Sequence, residues 1–115
     1  MDRKVRASFL LSFYGGLLSQ RRREYMALHF DEDMSLAEIA EQYGISRQAV
    51  LDAISRGEKQ LEQMESALGM LQKYMLMLKE IDEISRELDG RAAECGCDLS
   101  GISERLNRLP DILGG

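Results

Sequence analysis

"SLAEIAEQYGISRQAVLDAI", running from Ser35 to Ile54, carries the pattern that decides the fold. Two short helices crossing steeply need a small residue where the backbones approach, a residue that tolerates the turn, and apolar residues that lock the pair. Ala40 supplies the first and Gly44, four residues later, the second. Ile39, Tyr43, Ile45, Val50 and Ile54 supply the lock. Ser35 opens the first helix, 36–43, and Glu38 completes a capping box of the form S-x-x-E. Ser46 caps the second helix, which begins at Arg47. Caps, small residue, glycine and apolar positions agree, so the stretch is a helix-turn-helix. Over 47–56 the outward residues of the second helix are Arg47, Gln48, Leu51, Asp52, Ser55 and Arg56. Arginine and glutamine at a helix start suit base edges or phosphates; Leu51 and Asp52 suit neither.

The surrounding chain is all-α in pattern. It has one proline, and no apolar/polar alternation is sustained. A first helix is expected over about 3–14, with Val5, Phe9 and Phe13 at spacing four and Leu10 beside them, stopped by Gly15 and Gly16. Ser19 caps a second helix over about 20–32, whose apolar face holds Tyr25, Met26 and Leu28. Its opening run, Arg21-Arg22-Arg23, is either a phosphate-holding patch or a solvated charged face. Cations there sit at the positive end of the helix dipole, a mildly unfavourable place costing about 0.3–1 kcal/mol.

From Arg47 the pattern shows no evident stop before Asp89-Gly90. Gly57 and Gly69 lie inside it, each costing about 1 kcal/mol relative to alanine and each a candidate bend. Two apolar seams run along its second half. One is Leu61, Met64, Leu68, Leu71, Met75 and Leu78; the other is Ala67, Met70, Tyr74, Met77, Ile81, Ile84 and Leu88. Together they form a sector wider than one flanking helix covers. A homodimer is therefore expected, with Leu71, Tyr74, Met75, Met77, Leu78 and Ile81 at its interface. The competing arrangement is a monomer bent at Gly69 and folded back. The organisation expected is 1–60 for the N-terminal helices and helix-turn-helix, 61–89 for a long dimerisation helix, and 90–115 for a linker and a short helix (about 100–109) with Ile102, Leu106 and Leu109 on one side.

The 115 residues carry a net charge of −5, which excludes a uniformly positive nucleic-acid surface but leaves room for a local patch. Residues 1–63 hold nine Lys/Arg against ten Asp/Glu; residues 64–115 hold six against ten. Any nucleic-acid contact belongs to the N-terminal half. No apolar run approaches the ~18 residues of a membrane span, and "MDRKVRASFLLSFYGG" lacks the features of a signal peptide. Cys95 and Cys97, in C-G-C, are expected as reduced cytosolic thiols. The only histidine, His29, is far from them in sequence, so no metal or other cofactor is assigned. There is no glycine-rich phosphate loop, no H-E-x-x-H and no paired Ser/His or Cys/His, so the expectation is a binding protein rather than an enzyme.

The stretches "FYGGLLSQRRREYM", "SLAEIAE" and "ISRQAVLDAI" resemble the YlxM family, and the resemblance extends over about residues 5–89. It implies a helix-turn-helix like region 4 of bacterial sigma factors. It also implies a cytoplasmic protein and a modulating role in the signal recognition particle, through its RNA, its GTPase or both. Leu51 stands where family members often carry a bulky aromatic, and "DGRAAECGCDLSG" has no counterpart in the resemblance. In the RNA-binding case Arg21, Arg22, Arg23, Arg47, Gln48 and Arg56 are the candidate contacts. With seven aromatics in the chain, binding would lean on backbone and shape rather than base stacking. The alternative is a dimeric DNA-binding regulator that places 47–56 in a major groove.

Overall fold

The capping serines become helix boundaries in the computed structural model, which describes residues 1–113. Among the described residues there is no strand. The chain divides into two compact units, Met1–Gly69 and a second that begins at Met70.

The first unit holds α1 (Arg3–Tyr14), a 3-10 turn (Gly15–Leu17), α2 (Gln20–Phe30), α3 (Leu36–Tyr43) and α4 (Arg47–Leu68). Each expected cap forms. Ser19 Oγ accepts from the Arg22 N–H at 3.3 Å and Ser46 Oγ from the Ala49 N–H at 3.0 Å. Ser35 and Glu38 satisfy one another's backbone N–H groups, completing the capping box. Gly44 ends α3 in the left-handed region (φ 66°), and the Ile45 N–H donates back to the Ala40 carbonyl at 3.0 Å. That conformation costs glycine little and other residues more.

Leu10, Met26, Ile39, Val50, Ile54 and Leu61 are at most 2% exposed and form the centre of this unit. Burying each stabilises the fold by about 1.5–3 kcal/mol. Ile39, Val50 and Ile54 lock the two helices of the motif as expected. Tyr43 is half-buried, and Ile45 is 37% exposed, so it is not part of the lock.

The inward face of α1 differs from expectation. Val5 is 46% exposed and Phe9 and Phe13 are half-buried, whereas Ala7, Leu10, Leu11 and Tyr14 are buried. The i, i+3, i+4, i+7 stripe is the face that α1 buries, and polar contacts to α4 accompany it. Arg3 and Arg6 each make two-pronged pairs with α4 carboxylates, Arg3 with Glu58 and Arg6 with Glu62 at 2.7 and 2.8 Å. Two turns past Arg6, the buried Tyr14 hydroxyl donates to Glu65 at 2.8 Å. α2 ends at Phe30 rather than residue 32, and its buried residues are Tyr25, Met26 and Phe30, with Leu28 half-buried. His29 Nδ1 lies 2.9 Å from the Met34 carbonyl, holding the α2–α3 connection.

Gly57 marks a close approach, not a bend. A Cβ built on it would overlap the Met26 sulfur and lie 3.1 Å from Arg22 Cγ. Gly69 does break the helix. With φ 64° it caps α4, so the expectation of one helix from Arg47 to Asp89 is corrected to two. Each apolar seam is thereby divided between α4 and α5.

The second unit holds α5 (Met70–Cys95), α6 (Ser100–Arg108) and a 3-10 turn (Leu109–Leu113). Helix continues through Gly90 to Cys95, which corrects the linker expected from residue 90. α6 and the 3-10 turn pack on α5. The Ser85 and Ser103 hydroxyls lie 3.1 Å apart, and Asn107 Nδ2 donates to Ser85 Oγ at 3.3 Å. Of the expected α6 stripe, Leu106 is half-buried while Ile102 and Leu109 are 54% and 44% exposed. On α5, Leu71, Tyr74 and Ile81 are buried within the single chain, and Met75, Met77 and Leu78 are half-buried. Leu76 and Ile84 are exposed.

Candidate nucleic-acid interface

The helix-turn-helix presents the start of α4 outward. Arg47, Gln48, Asp52, Ser55 and Arg56 are all exposed and Leu51 is half-buried, close to the outward set expected from the sequence. This face is not uniformly basic. Gln48 Nε2 donates to Asp52 Oδ1 at 3.0 Å across one turn, so a base edge approaching the Gln48 amide competes with a carboxylate already in place. Glu38 and Glu41 on α3 are exposed as well.

The three consecutive arginines of α2 do not form one patch. Successive residues point about 100° apart on a helix, and here each meets a different neighbour. The Arg21 guanidinium lies 5.0 Å from the centre of the Tyr43 ring, over the end of α3. Arg22 turns to α4, where its Nη1 donates to Gln60 Oε1 at 2.6 Å and its methylenes pack beside Gly57. Arg23 is exposed, with its Cδ beside Gly15. Arg21 and Arg47 thus flank the same turn, since Tyr43 precedes Arg47 by four residues. Arg22 and Arg56 share a side of α4, because Arg56 lies about 40° round the helix from Gln60.

Tyr43 is the organiser that the sequence did not single out for this role. Its ring meets Tyr25 edge-on with centroids 4.9 Å apart, and its hydroxyl donates to Glu24 at 3.0 Å. Burial and that bond to Glu24 push the phenol above its ordinary range, so it stays a neutral donor at physiological pH. The arrangement holds Arg21 over an aromatic face, an attraction of about 0.5–1 kcal/mol at an exposed site. A tyrosine at the end of α3 was legible only as a packing residue; its partner Arg21 lies 22 positions earlier.

Of the cations in residues 1–63, Arg3, Lys4 and Arg6 are engaged by Glu58, Asp33 and Glu62 respectively. Arg6 holds the Glu62 carboxyl below its ordinary range through their hydrogen bond. The remaining cations of this segment are Arg21, Arg22, Arg23, Arg47, Arg56 and Lys59. They lie on α2 and the outward side of α4, which is where a phosphate backbone would have to be met.

Comparison with known proteins bears on most of the chain. A family model, UPF0122, "Putative helix-turn-helix protein, YlxM / p13 like", matches residues 1–95. The chain is 40% identical over 109 residues to the UPF0122 protein of Geobacillus kaustophilus, covering 95% of this chain and 98% of the relative. It is 41% identical to a UPF0122 protein of Clostridium botulinum, with 95% and 100% covered. It is 46% identical to one of Bacillus cereus, with 95% and 98% covered. No described helix is long and apolar enough to cross a membrane.

Proposed function

The chain belongs to the UPF0122 family of YlxM/p13-like proteins, and from that premise we propose that it is a non-enzymatic, cytoplasmic accessory protein of the signal recognition particle. In this reading the helix-turn-helix binds the particle's RNA, its GTPase or both. The observation that carries the binding role is the exposed start of α4, with Arg47 and Gln48 there, Arg56 further along the same helix, and the exposed Arg21 held on Tyr43 at the end of α3. The family resemblance supplies the particle.

Arg21, Arg23, Arg47, Gln48 and Arg56 are the proposed contacts, with Arg22 adding charge from its place between α2 and α4. The acidic neighbours Asp52, Glu38 and Glu41 disfavour a helix pressed deep into a major groove, where base readout needs an unopposed donor face. They are compatible with contact at a phosphate edge or with a protein surface. The dimeric DNA-binding regulator is the second reading. It draws on the same outward residues, and on the exposed Leu76 and Ile84 as a surface where two copies would pair alongside Met75, Met77 and Leu78.

The test is a titration of the full chain against particle RNA, the particle's GTPase and random-sequence duplex DNA at one fixed salt concentration. Saturable binding to the RNA or the GTPase, tighter than to the duplex, supports the proposal. Selective binding to a particular duplex, with neither particle component bound, replaces it with the regulator. Solution mass measured alongside reports whether two copies associate.

A further inference from the structure

The cysteines lie where α5 ends, and the backbone there has a defined shape. Gly96 takes a left-handed conformation (φ 69°), and the Cys97 N–H donates to the Ala92 carbonyl at 3.1 Å. This closes the helix with a bond from the second residue past its end to the last turn, with glycine in the left-handed position between. The turn puts the side chains of the residues on either side of Gly96 next to each other. The two sulfurs lie 2.6 Å apart, well inside ordinary contact and not far above a bonded distance of about 2.05 Å. Both thiols are free and exposed.

We propose that Cys95 and Cys97 form a dithiol site that exchanges with low-molecular-weight disulfides, Cys95 attacking and Cys97 closing the ring. In the first step the Cys95 thiolate forms a bond to one sulfur of the small disulfide. The bond between that disulfide's own sulfurs breaks, and one small thiolate leaves and takes a proton. In the second step the Cys97 thiolate attacks the Cys95 sulfur and displaces the second small thiol. One small disulfide is reduced to two thiols, and the protein dithiol is oxidised to an intramolecular disulfide.

The order of attack follows from the local bonding. The Cys97 thiol and backbone N–H favour a charged Cys95 sulfur and hold its thiol below the ordinary range, while the same contact raises Cys97. The negative end of the α5 dipole works against a thiolate at both positions. The advantage of the pair therefore lies in the second step, where the resolving sulfur is already in contact and closure is intramolecular. A ring spanning a single residue is strained, which makes the disulfide readily reversible. Solvent access is open, since both cysteines are exposed.

The probe is oxidised glutathione, applied to the reduced full chain and followed by intact mass. The expected product has lost two hydrogens, retains no glutathione and returns to the starting mass with a dithiol reductant. Cys97→Ser should instead retain one glutathione, on Cys95, because the resolving sulfur is gone. Cys95→Ser should react more slowly than Cys97→Ser, leaving Cys97 to react alone. Gly96→Ala, strained at positive φ, should leave the first step intact and slow ring closure, so that the mixed disulfide accumulates. Glutathione retained on both cysteines of the unsubstituted chain, covalently linked pairs of chains as the main product, or no reaction would each overturn the proposal.

Discussion

Gly57 of α4 faces Met26 of α2 so closely that the space of a single methyl is already filled by the methionine sulfur. Met26 is fully buried, so its sulfur would have to shift inside the core. Gly57→Ala should therefore destabilise the protein. Helix propensity favours alanine by about 1 kcal/mol, but overpacking a tight core costs about 1–3 kcal/mol, and the second term wins. Gly90, inside α5 with nothing near a built Cβ, is the control. Gly90→Ala should stabilise by about 0.5–1 kcal/mol. Thermal or urea unfolding of the two variants reads the opposite signs directly. Equal stabilisation by both would mean that α2 and α4 do not approach at Gly57.

The arginine run separates in the same way. Arg22→Ala should lower stability, because it removes both the bond to Gln60 and methylenes packed against Gly57. A loss of about 0.5–1.5 kcal/mol fits one hydrogen bond. Arg23→Ala should leave stability within about 0.5 kcal/mol, as surface changes do, and Arg21→Ala should cost no more than the about 0.5–1 kcal/mol of its contact with the Tyr43 ring. If the basic surface meets phosphates, those two should nevertheless weaken RNA binding. Paired unfolding and binding measurements check this, and uniform behaviour of the three arginines would remove the division of roles.

The helix-turn-helix was legible because each of its signals is local. Ser35 with Glu38, Gly44, Ser46 and the apolar set Ile39, Val50 and Ile54 act within twenty residues, and caps and left-handed turns depend on little beyond their own segment. What failed were readings that needed a tertiary partner. Which face α1 buries depends on what packs across from it, and its contacts of Arg3 and Arg6 with Glu58 and Glu62 join residues more than fifty positions apart. Gly57 and Gly69 are identical in sequence terms. One is a contact and the other a helix end, and only the presence of Met26 beside the first distinguishes them. The arginine run looked like one patch because a sequence is linear, whereas a helix turns each successive residue toward a new neighbour. In the sequence Cys95 and Cys97 are only reduced thiols one residue apart, and the pattern suggests a helix stop at Gly90. Continuation to Cys95 is what lets Gly96 fold the second cysteine back.

Acid should loosen the clamp between α1 and α4. The Glu62 carboxyl is held below its ordinary range, chiefly by its hydrogen bond to Arg6. Its folded pKa thus lies below the unfolded value of about 4.3. The contribution is fully present above that value and is lost as pH falls through the folded pKa. Both side chains are well exposed, 40% and 49%, so solvent screening limits it to at most about 1 kcal/mol. Glu62→Gln should be less stable than the unsubstituted chain at pH 7. The gap should shrink as the pH drops below about 4. Urea midpoints measured across this range decide it; a gap that does not change with pH would mean that the Arg6–Glu62 pair contributes nothing through charge.

The acids on the helix-turn-helix face offer the sharpest separation between an RNA partner and a protein partner. Asp52 holds the Gln48 amide and places a negative charge within one turn of both Gln48 and Arg56. If α4 meets a phosphate backbone, Asp52→Asn removes a repulsive charge, and RNA affinity should rise a few-fold. Arg47→Ala should lower it across sequences and reduce the slope of log affinity against log salt by about one, the signature of one lost phosphate contact. Asp52→Asn should leave that slope nearly unchanged, because asparagine adds no cation to displace counterions. If α4 instead meets a protein surface, Asp52 becomes a candidate partner for a basic group there, and Asp52→Asn should weaken binding. Direct binding isotherms at several salt concentrations distinguish the two, because the sign of the Asp52→Asn effect reverses between them.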